Sequence, residues 1–231
     1  MAPKPSTTTN APPARTAPVQ SNRSRDFDFM EWFQVNSRII GGAAVVVAVA
    51  ALGYWFYVRS QQIKTVNAER SLLQAEQSLQ SGNTALATSD LQRVVSRYKG
   101  TGAGTEAAML LAQTNYNAGK YQEGIKALQD VSGKAGASEA GLQSLIGDGY
   151  AQMNKPADAA KAYERAAASA EFSTERAYYK AKAARSYASA GNTAEAKRLW
   201  TELSTDEKAQ SVAAEARIRL AELDARRAGK P

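Results

Sequence analysis

The chain has 231 residues and contains neither Cys nor His, which removes thiol nucleophiles, Cys/His metal sites and imidazole acid–base chemistry together. Its net charge of +7 and pI near 9.5 would suit nucleic acid or anionic lipid. The basic residues are spread along the chain and form no stripe, so a solvated surface is expected and nucleic-acid binding is not.

Residues 1–25 hold five of the seven prolines, among Thr, Ala and Ser. Such a stretch has too little apolar surface to offset its ordering entropy and is expected to be a disordered tail. Residues 26–38 place Phe27, Phe29, Trp32 and Phe33 among acids just before an apolar run. Two readings stand side by side: an interfacial aromatic segment lying at a headgroup layer, or a short aromatic cap on a helix.

Residues 39–58, IIGGAAVVVAVAALGYWFYV, are uncharged between Arg38 and Arg59. At about 1.5 Å per residue they span about 30 Å, the thickness of a hydrocarbon core. Tyr54, Trp55 and Tyr57 sit where an interfacial aromatic belt belongs. The alternative is a cleaved signal peptide, for which AVAA resembles a cleavage site. The apolar run continues past that point and the polar lead is long, so an uncleaved signal anchor is expected. Lys and Arg before the span lean towards a cytoplasmic N-terminus, with the large C-terminal part outside the cytoplasm. A cytoplasmic array on an inverted anchor is the alternative topology.

From residue 60 the composition is that of helices, and no Gly or Pro falls between Gly53 and Gly82. The span is therefore expected to run on into the first soluble helix. Turn residues recur at Gly82, Gly119, Asn154 and Gly191, spaced 37, 35 and 37 residues apart. Asn is the usual substitute for Gly where a helix ends in a left-handed residue. Seven residues before each turn stands Ala75, Ala112, Gly147 or Ala184, and five after stands Ala87, Gly124, Ala159 or Ala196. Small residues at matching places let two antiparallel helices approach closely. Nine after each turn come Leu91, Leu128, Tyr163 and Trp200, and twelve after come Val94, Val131, Ala166 and Leu203. The large residues among these are expected to fill the space between hairpins. Tyr116, Tyr150 and Tyr187 precede three of the turns, whereas Ser78 precedes the first.

This pattern resembles the tetratricopeptide repeat, over about 160 residues. The expected fold is all-α: one N-terminal transmembrane helix, then an α-solenoid of about four helical hairpins over residues 62–227. A solitary capping helix from Ser204 to Arg227 closes it, opened by Ser204 and Glu207 at capping-box spacing. Fold does not give function, which has to come from a site.

KGTGAGTE, residues 99–106, has the glycines of a phosphate loop, but no strand precedes it and the Lys-Ser/Thr ending is missing. It reads as the linker between two hairpins. No catalytic set, cofactor-binding pattern or metal-ligand spacing is apparent, and an enzyme with an unrecognised site is the remote alternative. The expected functional feature is a groove lined by the first helix of each hairpin, receiving a peptide or a partner's helix. By register that face carries Glu69, Leu72 and Glu76, then Glu106, Met109 and Gln113. It continues with Ser144, Asp148 and Ala151, then Tyr178, Ala181 and Arg185.

The segment from Glu31 to Gly82 also resembles the ancillary subunit of the bacterial Sec translocon. It carries that family's elements in Trp32-Phe33, Asn36 to Arg38, Gly41-Gly42, Gly53 to Tyr57, Gln61-Gln62 and Ala68. The resemblance implies a single-pass inner-membrane protein with a periplasmic repeat domain. Its implied partners are Sec translocon subunits, periplasmic chaperones or exported chains. A scaffold for outer-membrane or cell-wall assembly would share the same architecture.

Overall fold

The computed structural model describes residues 37–229, so the expected tail at 1–25 and most of the juxtamembrane segment lie outside the described residues. These residues form nine α-helices and no strand. They are α1 (Ser37–Gln80), α2 (Thr84–Arg97), α3 (Gly102–Asn117), α4 (Tyr121–Gln129), α5 (Glu139–Gln152), α6 (Pro156–Ser169), α7 (Ser173–Ser189), α8 (Thr193–Thr205) and α9 (Gln210–Ala228). Two 3-10 turns, Gly136–Ser138 and Glu207–Ala209, precede α5 and α9.

By contact the chain divides into residues 1–55 and 56–231. The described part of the first unit is apolar helix. α1 contains the one helix among the described residues long and apolar enough to cross a membrane, with a mean hydropathy of 1.8 over its best window. No Gly or Pro interrupts α1 after Gly53, and it runs unbroken to Gln80.

The second unit is an array of helical hairpins: the C-terminal part of α1 with α2, then α3–α4, α5–α6 and α7–α8, with α9 against α8. The four inferred turn residues are all left-handed, with φ of +76° at Gly82, +73° at Gly119, +57° at Asn154 and +75° at Gly191, and so are Gly100, Gly133 and Gly136 in the connections between hairpins. At all four, the N–H of the following residue donates back to the carbonyl four residues before the turn. These bonds are Asn83 to Ser78 (3.0 Å), Lys120 to Asn115 (2.8 Å), Lys155 to Tyr150 (2.9 Å) and Asn192 to Tyr187 (2.9 Å). That is the Schellman closure, which satisfies carbonyls the helix end would orphan. Asn83 and Asn192 then cap the next helix through their side chains, accepting from Leu86 N–H (3.2 Å) and Glu195 N–H (3.3 Å).

All eight small positions flanking the turns are buried. At Gly147 a Cβ would stand 2.5 Å from the Tyr163 ring, and at Gly124 2.4 Å from the Tyr116 ring. Glycine is therefore required there by close approach of an aromatic face, at helical φ rather than left-handed φ. Two apolar clusters follow one another along the array. The first joins Leu72, Leu91, Val94, Leu111, Leu128 and Ile146 with their neighbours. The second joins Tyr163, Tyr187, Leu199, Trp200, Leu203 and Val212 on an alanine-lined floor.

Two local expectations are revised. Ser204 does not open a capping helix: α8 runs to Thr205, Ser204 Oγ donates to the Thr201 carbonyl, and α9 begins only at Gln210. Asp206 caps the 3-10 turn Glu207–Ala209 that precedes it, accepting from Lys208 N–H at 2.9 Å. The glycine-rich stretch is linker only to Thr101, which caps α3 by accepting from Gly104 N–H at 3.0 Å. Gly104 then packs under the Tyr98 carbonyl, 2.3 Å from where a Cβ would be. Tyr116 also stands one residue nearer its turn than Tyr150 and Tyr187 do. It reaches into the next hairpin and donates its hydroxyl proton to the Leu145 carbonyl at 3.0 Å.

Candidate protein-interaction face

The first helices of the hairpins carry the residues inferred to line a groove, and the structure sorts these into four places. Glu69 on α1 is exposed and Glu76 is half-buried. Leu72, between them, is 6% exposed and belongs to the first apolar cluster, packed with Ala68 and Ala75. One register step, roughly 100° of helix rotation, carries it from the open face into the core.

Glu106, Met109 and Gln113 occupy i, i+3 and i+7 on α3, which puts them on one face. They line a pocket of about 570 Å³, completed mainly by Leu110 of the same helix, Ser138 of the 3-10 turn and Leu145 of α5. Its floor is apolar and its rim polar. Glu106 and Gln113 are exposed and Met109 is half-buried. Glu106 makes no ion pair among the described residues.

Ser144 and Asp148 on α5 meet Tyr178 on α7 through Lys182, which the register argument passed over. Lys182 Nζ donates to Asp148 Oδ1 at 2.6 Å and to Ser144 Oγ at 3.2 Å. It stands 4.5 Å from the Tyr163 ring centroid and 5.7 Å from that of Tyr178, within cation–π range. Tyr163 adds its hydroxyl proton to Asp148 Oδ1 at 2.6 Å. Burial first, and the bond to Asp148 second, hold the Tyr163 phenol far above its usual pKa, so it is a permanent donor. With its side chain 17% exposed, Lys182 is an intramolecular strut between hairpins. Ser144 is correspondingly buried, while Tyr178 keeps half its surface open.

Arg185 points away from a free groove position as well. Its guanidinium forms a bidentate pair with Glu215 of α9, Nε to Oε1 at 2.8 Å and a second bond through Nη2 to Oε2. The hydrogen bond from Arg185 holds the Glu215 carboxyl below its ordinary pKa of 4.5. Ala151 is exposed and Ala181 is fully buried.

Three of the inferred residues, Glu106, Met109 and Gln113, thus share one pocket wall, whereas Leu145, Lys182 and Glu215 were not inferred from the sequence. Lys182 was legible in part, because it lies four residues from Tyr178 on the same helical face. Glu215 was not, since no spacing along the chain says which helix packs beside α7. No group of three or more carboxylates that could hold a metal ion occurs among the described residues.

Comparison with a family model agrees with this geometry. The model described as a tetratricopeptide repeat-like domain matches residues 30–146 and, in a second register, 71–183. Among solved structures, a thermophilic TPR protein of Thermus thermophilus is similar at 20% identity and a TM-score of 0.41. The match covers 68% of this chain and 80% of that one. No curated protein matches the chain.

Proposed function

The chain belongs to the tetratricopeptide repeat-like family, and from that premise we propose that it is a membrane-anchored interaction subunit of the bacterial envelope. Its hairpin array would lie in the periplasm, beside the Sec translocon, and bind translocon subunits, chaperones or emerging exported chains. The observation that carries this reading is that an interaction array begins on the helix, α1, that also holds the one membrane-length apolar stretch among the described residues. An open pocket on the first-helix face gives the array somewhere to bind. The Trp32 to Ala68 resemblance to the translocon's ancillary subunit supplies the choice of machine.

Photo-crosslinking in cells from Gln113, on the pocket rim, tests this, with exposed Lys126 on the second helix of the same hairpin as control. Translocon subunits or periplasmic chaperones captured from Gln113 and not from Lys126 are the expected result. Adducts confined to cell-wall or outer-membrane assembly factors would overturn the translocon assignment and keep the scaffold. A reporter fused after Pro231 that is active only in the cytoplasm would overturn the topology.

A further inference from the structure

We infer that the pocket between α3 and α5 selects one bulky aliphatic side chain flanked by Lys or Arg, on an exposed segment of a partner protein. This inference rests on the interaction-subunit reading and names the chemistry its site would select.

The pocket's floor comes from Met109, Leu110 and Leu145, apolar groups that gain by being covered. Met109 is adaptable, and its methyl lies only 3.6 Å from where a Cβ would stand at Gly141, so α5 offers it a smooth wall with no side chain in the way. The polar lining groups are Gln113 and Ser138, with Glu106 as the sole charge. Glu106 is exposed and no cation of the described chain approaches it within ion-pairing distance. A ligand that covers the floor must place something against that carboxylate, and the favourable group is a cation.

Charge elsewhere on the face sharpens the choice. Asp148 is already held by Lys182 and Tyr163, and Arg185 by Glu215. Neither pair is free to recruit a charged partner without breaking bonds already made. Among the residues that line the pocket the one open charge is therefore negative, although the chain as a whole carries +7. A general attraction for acidic partners, which the net charge alone would suggest, is replaced locally by its opposite.

The test uses the full chain in lipid nanodiscs and three fluorescent nine-residue peptides on a Gly/Ser background. Their centres are Lys-Leu-Lys, Glu-Leu-Glu and Lys-Ala-Lys. The Leu peptide with Lys flanks is expected to bind about fivefold more tightly than the one with Glu flanks. It should bind about tenfold or more tightly than the Ala peptide. Glu106→Lys, a change at an exposed helix position, should reverse the order of the two Leu peptides. Ser138→Trp, which fills the pocket from a rim position whose side chain caps nothing, should remove all three. Equal binding of the three peptides, no binding of any, or a preference unmoved by Glu106→Lys would each overturn the inference. Gln113 crosslinking that still captures envelope proteins in that case would leave the proposed function standing, which separates the two failures.

Discussion

The two halves of the hairpin array solve the same packing problem with different chemistry. The first half, whose core cluster runs from Ala68 to Ala162, sets Leu, Ile and Val among its alanines. The second, from Ala159 to Ala216, adds Tyr163, Tyr187 and Trp200 to its alanines and to Leu199, Leu203 and Val212. Their surfaces differ in the same direction. Before residue 140 there are two ion pairs among the described residues, Asp90–Arg93 and Lys99–Asp130. The other pairs all join residues between Asp148 and Asp224, several of them from one helix to another. Long cations and the Tyr187 hydroxyl bind hairpin to hairpin in the second half, and in the first the Tyr116 hydroxyl does so on the Leu145 carbonyl. The first leaves its face open around the pocket.

Trp200, 1% exposed, is among the largest fully buried side chains of the aromatic half. Trp200→Ala should cost about 3–5 kcal/mol in denaturant unfolding. Because each hairpin touches only its neighbours, amide exchange should rise in α7–α9 while α2 and α3 stay protected. Uniform loss of protection would mean that the halves unfold as one unit.

Gly147→Ala comes next. The new Cβ would sit 2.5 Å from the Tyr163 ring, and overpacking of this kind costs about 1–3 kcal/mol. Tyr163→Phe should not rescue it, since the clash is with the ring, whereas Tyr163→Leu in the same chain should recover part of the melting temperature.

Removing the strut Lys182 tests whether polar bridging holds the second half. Lys182→Met keeps the stem and drops the charge, leaving half-buried Asp148 with its bond from Tyr163 alone. The expected loss is about 1 kcal/mol. Peptide binding at the α3–α5 pocket should be unchanged, because Lys182 is not part of its lining.

The smallest effect is a pH dependence. Arg185 holds the Glu215 carboxyl below its ordinary value. A depressed folded-state pKa gives stability that is present above the unfolded value of 4.5 and is lost as pH falls through the folded value. Glu215→Gln should therefore melt slightly below the parent chain at pH 7, by less than about 1 kcal/mol. The two should converge as acid protonates Glu215 in the parent. Equal melting temperatures at both pH values would mean that the α7–α9 pair contributes nothing to stability.

Sequence patterning by itself determined the repeat. Turn position, left-handed geometry and the two small positions are local demands of a helix end and a close helix crossing. They appear as residue types at fixed spacing, and Asn154 could be assigned a positive φ for that reason. The unbroken α1 was legible too, from the absence of Gly and Pro. What register could not give was the use made of each face. Leu72 and Glu76 are four residues apart, yet one is core and the other half-open, because Leu72 packs into the cluster that α1 shares with Leu91 and Val94 of α2. Lys182 and Glu215 became partners of Asp148 and Arg185 only when hairpins stacked, at separations of 34 and 30 residues. A repeat is written in short-range sequence because one hairpin must fold the same way each time. A binding face is decided later, by which side chains the neighbouring hairpin leaves without a partner.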